Sequence, residues 1–174
     1  MSEAEPVAAL TFKGATGSFI SANPPQETPA TEFQDAAGEQ HTLAEYRGKV
    51  VLVNFWATWC PACLQEMESL NRLQAKLGEE NFVVLTISQD TPESAAAEFL
   101  AEHDLAHLGA NIDKNRKLGL SLAQEFLPTS VLVNEDGMEV GRLIGSAEWD
   151  SPEAIALIRH FMRGSDASAK RTRE

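Results

Sequence analysis

The sequence predicts an α/β fold in which helices flank a central mixed β-sheet. Two short, largely apolar runs rich in β-branched residues, 50–56 and 82–87, have the composition of strands covered on both faces. A helical pattern of apolar residues separates them. Strand-like runs over 129–134 and 138–144 flank Glu135-Asp136-Gly137, which indicates an antiparallel hairpin and therefore a sheet of mixed direction.

The helices are predicted from apolar periodicity and from capping residues. Thr91-Pro92-Glu93 caps and opens one helix, and Ser151-Pro152 opens the last one. Gly119 interrupts a weaker helical pattern. We therefore expect four helices, over about 61–77, 91–103, 113–125 and 151–163.

The chain is predicted to divide into an N-terminal extension (1–30), one domain (31–164) and a disordered C-terminal tail (165–174). Three prolines in a polar setting between Asn23 and Pro29 indicate a linker. Leu10-Thr11-Phe12 has the pattern of a short strand within the extension. The last residues are small, polar and finally basic, which is typical of a solvated end.

Composition excludes several classes of partner. The 174 residues include 14 basic and 26 acidic ones, a net charge of −12, so nucleic acid and anionic membrane surfaces are not expected to bind. The chain has no run of about 18 apolar residues that would span a membrane, and no signal-peptide core. An apolar fraction of 43% is ordinary for a soluble globular protein.

Both cysteines lie in NFWATWCPACLQEM, where the first strand ends and a helix begins. A bridge between them closes too short a loop to stabilise the fold much. Cys60 is expected at the helix N-terminus, where free N–H groups and the helix dipole can lower a thiol pKa from about 8.5 to roughly 3.5–7.5. Cys63 falls on the apolar stripe. The pair therefore predicts an accessible nucleophile and a sheltered resolving thiol.

Glu66 lies on the same helical stripe as Cys63, three residues later. An acid that faces the core costs free energy unless it is paired, hydrogen-bonded or protonated. Two interpretations stay open on these residues. Glu66 accepts the proton of Cys63, directly or through water, or its carboxylate extends past the edge of the stripe to solvent.

Several segments resemble the TlpA-type proteins, the periplasmic, membrane-anchored thioredoxins of bacteria, and the related ResA group. The likeness covers about residues 31–162 and is carried by FQDAAG, LAEYRGK, VVLVNFWATWCPACLQEM, LPTSVLVNEDG and GSAEWDSPEAIALIR. It implies a thioredoxin-like fold, a thiol-disulfide oxidoreductase and no cofactor.

The resemblance also assigns roles to residues. It implies that Cys60 and Cys63 form the redox-active disulfide, with Cys60 the nucleophile and Cys63 the resolving cysteine. It implies that Pro128, where a trans peptide bond is the default, is a cis-proline beside them, and that neighbouring backbone pairs with an extended client. The client-docking residues expected on this basis are Trp59, Pro61, Ala62, Leu127, Pro128 and Thr129.

Two positions depart from ordinary thioredoxins. Asn54 occupies the place of their buried aspartate, and Val84 that of its partner lysine. The loss of that pair leaves Glu66, which matches the acid of the TlpA-type branch, as the expected proton acceptor. Pro61-Ala62 lacks the histidine that oxidants of this superfamily commonly carry, so the pair favours a reductant.

The resemblance implies a function in the bacterial periplasm, with an inner-membrane anchor that this sequence does not contain. Such proteins keep the copper-ligand cysteines of Sco-type chaperones and of the cytochrome oxidase copper subunit reduced. Expected partners are such clients and an upstream membrane thiol reductase, with the protein itself a monomer. Related proteins serve cytochrome c maturation, but they usually carry Glu after the cis-proline, where this chain has Thr129.

Two other classes of function compete with this one. The cysteine pair is half of a zinc site or a soft copper(I) site, and His103 and His107 could complete it. A helix C-terminal or solvated role is favoured for these histidines, and no metal is expected. A noncatalytic docking domain would use tryptophans as anchors. We expect Trp56 and Trp149 to be packed and Trp59 to be exposed.

Overall fold

The computed structural model describes the backbone of residues 11–173 and the side chains of residues 11–162. It contains eight strands: β1 (Ile20–Glu27), β2 (Phe33–Gln34), β3 (Gln40–His41), β4 (Val50–Trp56), β5 (Phe82–Ser88), β6 (Asn111–Ile112), β7 (Thr129–Val133) and β8 (Met138–Ile144). The α-helices are α1 (Pro61–Leu77), α2 (Ala95–Glu102), α3 (Lys117–Ser121) and α4 (Pro152–Arg173), with short 3-10 helices at Leu43–Tyr46 and Lys114–Arg116.

The strands form one mixed sheet in the order β1-β8-β7-β4-β5-β6-β2-β3. Strand β4 is central, parallel to β5 and antiparallel to β7. All seven of its residues are buried. The predicted α/β fold with a mixed sheet is confirmed, and the first strand, the first helix and the second hairpin strand have the predicted bounds.

The sheet separates two hydrophobic clusters. Alternate residues of β4 face opposite sides, so Leu52 and Trp56 join one cluster and Val53 and Phe55 join the other. Helix α1 packs on the first side. It buries Met67, Leu70, Leu73 and Leu77 there, and each of these contributes about 1.5–3 kcal/mol. Because Asn54 alternates with Val53 and Phe55, its side chain faces α1.

The N-terminal segment differs from its prediction. Residues 23–29 were expected to be a linker, but Ile20–Glu27 forms an edge strand against β8. The pairing skips the prolines, because the register shifts between Ser21 and Gln26, and an edge strand tolerates residues without an N–H. Of the predicted strand at 10–12, Leu10 lies outside the described residues, and Phe12 precedes an isolated bridge between Lys13 and Ser18.

Three helices also differ from their predicted bounds. Helix α2 begins at Ala95 rather than near Thr91, after a turn in which Ala95 N donates to Pro92 O. The helix expected over 113–125 is reduced to α3, because Asn115, Arg116 and Ala123 have positive φ. Helix α4 continues to Arg173, over residues where a disordered tail was expected. That stretch contains no proline to end it.

None of the helices in the described part of the chain is both long and apolar enough to cross a membrane.

Asp35, His41 and Glu45 form a charged triad at the outer edge of the sheet, beside the edge strand β3. The two ring nitrogens of His41 lie 2.8 Å from Asp35 Oδ2 and 2.8 Å from Glu45 Oε1. Both bonds can form together only when the imidazole is protonated. The hydrogen bonds to Asp35 and then Glu45 raise the pKa of His41, and the same bonds lower the pKa of Asp35 and of Glu45.

We predict that His41→Gln lowers the free energy of unfolding most at about pH 5–6. A histidine with a raised folded pKa stabilises the fold below about pH 6.5, and this is lost as pH rises through the folded pKa. The carboxylates contribute above about pH 4 and lose their contribution in acid. Urea unfolding at pH 5.5 and 9 measures the difference, with the exposed His107→Gln as control. An equal loss at both pH values would assign the effect to the His41–Phe33 ring contact instead.

Candidate active site

Cys60 and Cys63 form a disulfide at the start of α1, with Cα atoms 5.3 Å apart. Cys60 is the N-cap residue, with extended backbone, and Pro61 takes the first helical position. The Cys63 N–H donates to both Cys60 O at 3.0 Å and Cys60 Sγ at 3.2 Å. The cap therefore places an N–H group of the first helical turn on the sulfur, the arrangement that stabilises a thiolate after reduction.

The two sulfurs differ in exposure, but less than predicted. Cys60 keeps 6% of its surface and Cys63 none. The order matches the prediction, whereas the expectation of an openly accessible Cys60 is not met in this disulfide-bonded form, because Cys60 packs in the cluster beneath α1. The exposed surface beside it belongs to Trp59, which is 67% exposed, and to Pro61.

Glu66 is buried beneath α1 with 1% of its surface exposed. The interpretation in which its carboxylate reaches solvent is therefore wrong. Asn54 Nδ2 donates to Oε1 at 2.7 Å. The Ala147 N–H and Trp149 Nε1 donate to Oε2 at 3.0 and 3.1 Å. These contacts come from β4 and from the loop before α4, so the carboxylate joins three parts of the fold.

The electrostatics of Glu66 are a balance between burial and hydrogen bonding. Burial raises its pKa to about 8, against the hydrogen bonds from Asn54, Ala147 and Trp149, which lower it. All three donors are neutral groups. Val84, which occupies the place of the partner lysine of ordinary thioredoxins, is a buried apolar residue. Asn54 Oδ1 is buried without a hydrogen-bond partner among the described residues.

The loop before β7 supplies the other wall of the site. The Leu127–Pro128 peptide bond is cis, as the resemblance implies. Pro128 O accepts the Gly145 N–H at 2.8 Å, and Thr129 Oγ1 donates to Phe126 O at 2.7 Å. Strand β7 then pairs Thr129 with Phe55 of β4, which brings this loop to the end of β4 from which the cysteine loop leaves.

The predicted docking residues divide into three groups by exposure. Trp59 and Pro61 are exposed, while Ala62 and Leu127 are partly buried. Pro128 and Thr129 are buried, and Thr129 has a strand partner on each side. The Thr129 side chain is therefore turned inward to Phe126 O and does not lie on the surface.

Phe126 is an exposed aromatic residue that the sequence argument missed. It is 61% exposed and stands three residues before β7, as Trp59 stands three residues after β4. Since β4 and β7 are antiparallel neighbours, both aromatic residues extend from the same end of the sheet. The available signal was an aromatic residue two positions before Pro128, directly after the polar pair Gln124-Glu125.

The two competing functions, metal binding and noncatalytic docking, depend on histidines and tryptophans. His103 ends α2, stacks on Phe99 and hydrogen-bonds Phe99 O at 3.0 Å through Nδ1, which confirms the helix C-terminal role. His107 is exposed. Among residues 11–162, no cluster of metal-ligand type includes a cysteine. Trp56 and Trp149 are buried, as predicted.

The chain is similar in sequence to known proteins. The family described as Redoxin matches residues 24–158. A thiol-disulfide oxidoreductase ResA of Bacillus cereus is 35% identical over 120 residues, 69% of this chain and 69% of that protein. ResA of Bacillus anthracis is 33% identical over 120 residues, with the same two shares of 69%.

Solved structures resemble this fold. A thiol:disulfide interchange protein of the thioredoxin family from Chlorobium tepidum TLS has a TM-score of 0.65 at 18% identity, covering 79% of this chain and 96% of that one. The pneumococcal exposed lipoprotein thioredoxin of Streptococcus pneumoniae has a TM-score of 0.58 at 24% identity, covering 76% and 98%. The predicted thioredoxin-like fold is confirmed.

We predict that the stability of the protein falls relative to a Glu66→Gln variant as pH rises from about 5 to 8. A carboxyl with a raised folded pKa keeps its proton in the folded state, so its stability contribution is full below its ordinary value and is lost as pH approaches 8. The difference should change by up to about 1.4 kcal/mol per pH unit. Urea unfolding of the disulfide form measures it, and the exposed Glu148→Gln is the control. Parallel curves would mean that Glu66 is already ionised at pH 5.

Proposed function

The chain belongs to the Redoxin family and is a thiol-disulfide oxidoreductase, and on that premise we propose that it reduces protein disulfides in the bacterial periplasm. Its clients are proteins whose cysteines ligand copper in cytochrome oxidase assembly, either a Sco-type chaperone or the copper subunit. An upstream membrane thiol reductase returns it to the dithiol form. The protein works as a monomer, and its full-length form is anchored to the inner membrane.

The direction of electron flow rests on one observation, the sparse stabilisation of the Cys60 sulfur. The N–H of Cys63 donates to it, and the first helical turn carries no charged side chain. A strongly stabilised thiolate makes a dithiol an oxidant, because its reduced form is then favoured. With the helix N–H and dipole alone, Cys60 has less of that stabilisation. The disulfide form is correspondingly favoured, and the dithiol gives its electrons to a client.

The exchange proceeds by two sulfur displacements. The Cys60 thiolate attacks one sulfur of the client disulfide, a mixed disulfide forms, and the client's other sulfur leaves as a thiolate. Cys63, after losing its proton, attacks Cys60 Sγ and releases the second client sulfur. Two electrons have passed to the client, and the Cys60–Cys63 disulfide has formed.

When its carboxyl is ionised, Glu66 accepts the proton of Cys63 in the second displacement, directly or through one water. It lies one helical turn after Cys63 and shares its buried face. A pKa of about 8 lies close to that of an ordinary thiol, near 8.5, so the proton transfer is almost balanced in free energy. A carboxylate of ordinary pKa would be a weaker base here.

Clients dock across the end of the sheet that holds the disulfide. The backbone at Leu127, which is partly buried and precedes the cis-proline, pairs with an extended client segment as an added strand does. Trp59 and Phe126 contact the client on either side of its cysteine. Both are large exposed aromatic side chains, the residue type that dominates protein interfaces.

The copper assignment follows from the family resemblance and from the chemistry of the metal. Copper(I) prefers soft thiolate ligands, and a pair of client cysteines binds it only while reduced. In an oxidising periplasm such a pair needs a dedicated reductant. Thr129, in place of the usual Glu, argues against the related role in cytochrome c maturation.

We predict that Cys63→Ser traps a mixed disulfide between Cys60 and the client, while Cys60→Ser abolishes disulfide reduction. The serine cannot displace the client, so the first adduct persists. Mass spectrometry of adducts formed in a periplasmic extract would identify the client, with Cys60→Ser/Cys63→Ser as the control. Copper-ligand cysteines in the adduct support the proposal, and cytochrome c cysteines would contradict it. Trapping by Cys60→Ser and not by Cys63→Ser would reverse the roles of the two cysteines.

We predict that Phe126→Ala lowers kcat/KM for a protein client by about tenfold, the effect expected of an aromatic contact worth more than 1 kcal/mol. Reduction of a small disulfide should be unchanged, because it does not reach Phe126. Ile20→Ala, which removes an exposed apolar side chain from the outer strand β1, is the matched control. An equal loss for the small disulfide would show that Phe126 supports the loop rather than the client.

A further inference from the structure

Asp90 is a buried carboxylate that the exchange steps above do not use. It lies two residues after β5, with 7% of its surface exposed. Both of its oxygens accept the Thr58 N–H at 3.0 Å, and Oδ1 also accepts the Thr58 hydroxyl at 2.7 Å. Oδ2 accepts the Ser88 hydroxyl at 2.7 Å. All of these donors are neutral, so the carboxylate is held by hydrogen bonds without an ion pair among them.

These bonds continue the parallel pairing of β4 and β5 past its last residues. Trp56 pairs with Ser88 at the end of the ladder, and the Gln89 N–H then donates to Trp56 O at 2.9 Å. Beyond that point the backbone of β4 leaves the sheet toward Cys60. Beyond the last backbone pair, the hydrogen bonds to the Asp90 side chain hold Thr58 in place, two residues before Cys60.

We infer that Asp90 is a positioning residue for the dithiol. Through Thr58 it fixes the loop that enters α1, and thereby keeps Cys60 at the N-cap with its sulfur on the Cys63 N–H, 3.2 Å away. A loop free to move would weaken that bond, and the thiolate would lose its main local stabilisation. This inference rests on the proposed function, since it concerns the same nucleophile.

The negative charge of Asp90 would change the pKa of Cys60 in the opposite direction to the positioning contact. A carboxylate acting on a nearby thiolate through its charge raises the thiol pKa, so its removal would lower the pKa of Cys60. Loss of the positioning contact raises the pKa of Cys60 instead. The sign of the change therefore separates the two effects.

The test measures the rate of Cys60 alkylation by iodoacetamide against pH in the reduced full chain, on a Cys63→Ser background. Asp90→Ala should raise the pKa of Cys60 by about one unit, which is about a tenfold loss of thiolate at pH values below that pKa. Thr58→Val removes only the hydroxyl bond and should shift the pKa in the same direction by less. Thr58→Ser, which keeps that bond, should retain the original pKa.

Asp113→Ala is the matched control. Asp113 is also buried and accepts the N–H groups of Leu118 and Gly119 and the side-chain amide of Gln89, so its loss costs stability but leaves the bonds to Thr58 in place. An unchanged or lowered Cys60 pKa in Asp90→Ala, or an equal rise in Asp113→Ala, would overturn the inference. If Asp90→Ala does not fold, an unchanged pKa in Thr58→Val would overturn it. Because alkylation needs no client, a failure here is distinct from a failure to trap one.

Discussion

The burial of β4 on both faces is the constraint on which the site depends. A central strand between two hydrophobic clusters cannot slide by one residue without turning every side chain to the wrong face. Its register with β5 and β7 is therefore fixed. Two consequences follow at the end of this strand. The Asn54 side chain faces α1. The chain leaves the sheet after Trp56, and this fixes the position at which Cys60 caps α1.

The same constraint explains why a carboxylic acid is tolerated beneath α1. Glu66 lies opposite Asn54 and below the loop of Ala147 and Trp149, and each supplies one hydrogen bond. Three neutral donors satisfy the oxygens but do not offset the loss of water, so the pKa stays raised. Because no lysine or arginine is among these donors, the carboxyl exchanges its proton at about pH 8.

The sequence predicts best what is buried and periodic. The bounds of β4 and α1 could be predicted from the sequence because each has a sustained apolar pattern. Cys60 caps α1, and Cys63 and Glu66 lie within it. Strands β2, β3 and β6 have two residues each, too few to carry a pattern. Strand β1 contains adjacent prolines and reads as a linker, because its pairing with β8 is a property of the tertiary fold. Asp90 escaped notice for a similar reason: its partner Thr58 is 32 residues away.

The two buried acids near the dithiol belong to one electrostatic argument. Glu66 is on the helix that carries both cysteines, and Asp90 holds the loop before Cys60. Every donor named to either carboxylate is neutral, so neither acid is accompanied by a compensating cation in those bonds. A thiolate formed at Cys60 on reduction is stabilised by the Cys63 N–H, with no cation in any of the bonds named here. The reductant that we propose needs such sparse stabilisation, because a strongly stabilised thiolate favours the dithiol and makes it an oxidant.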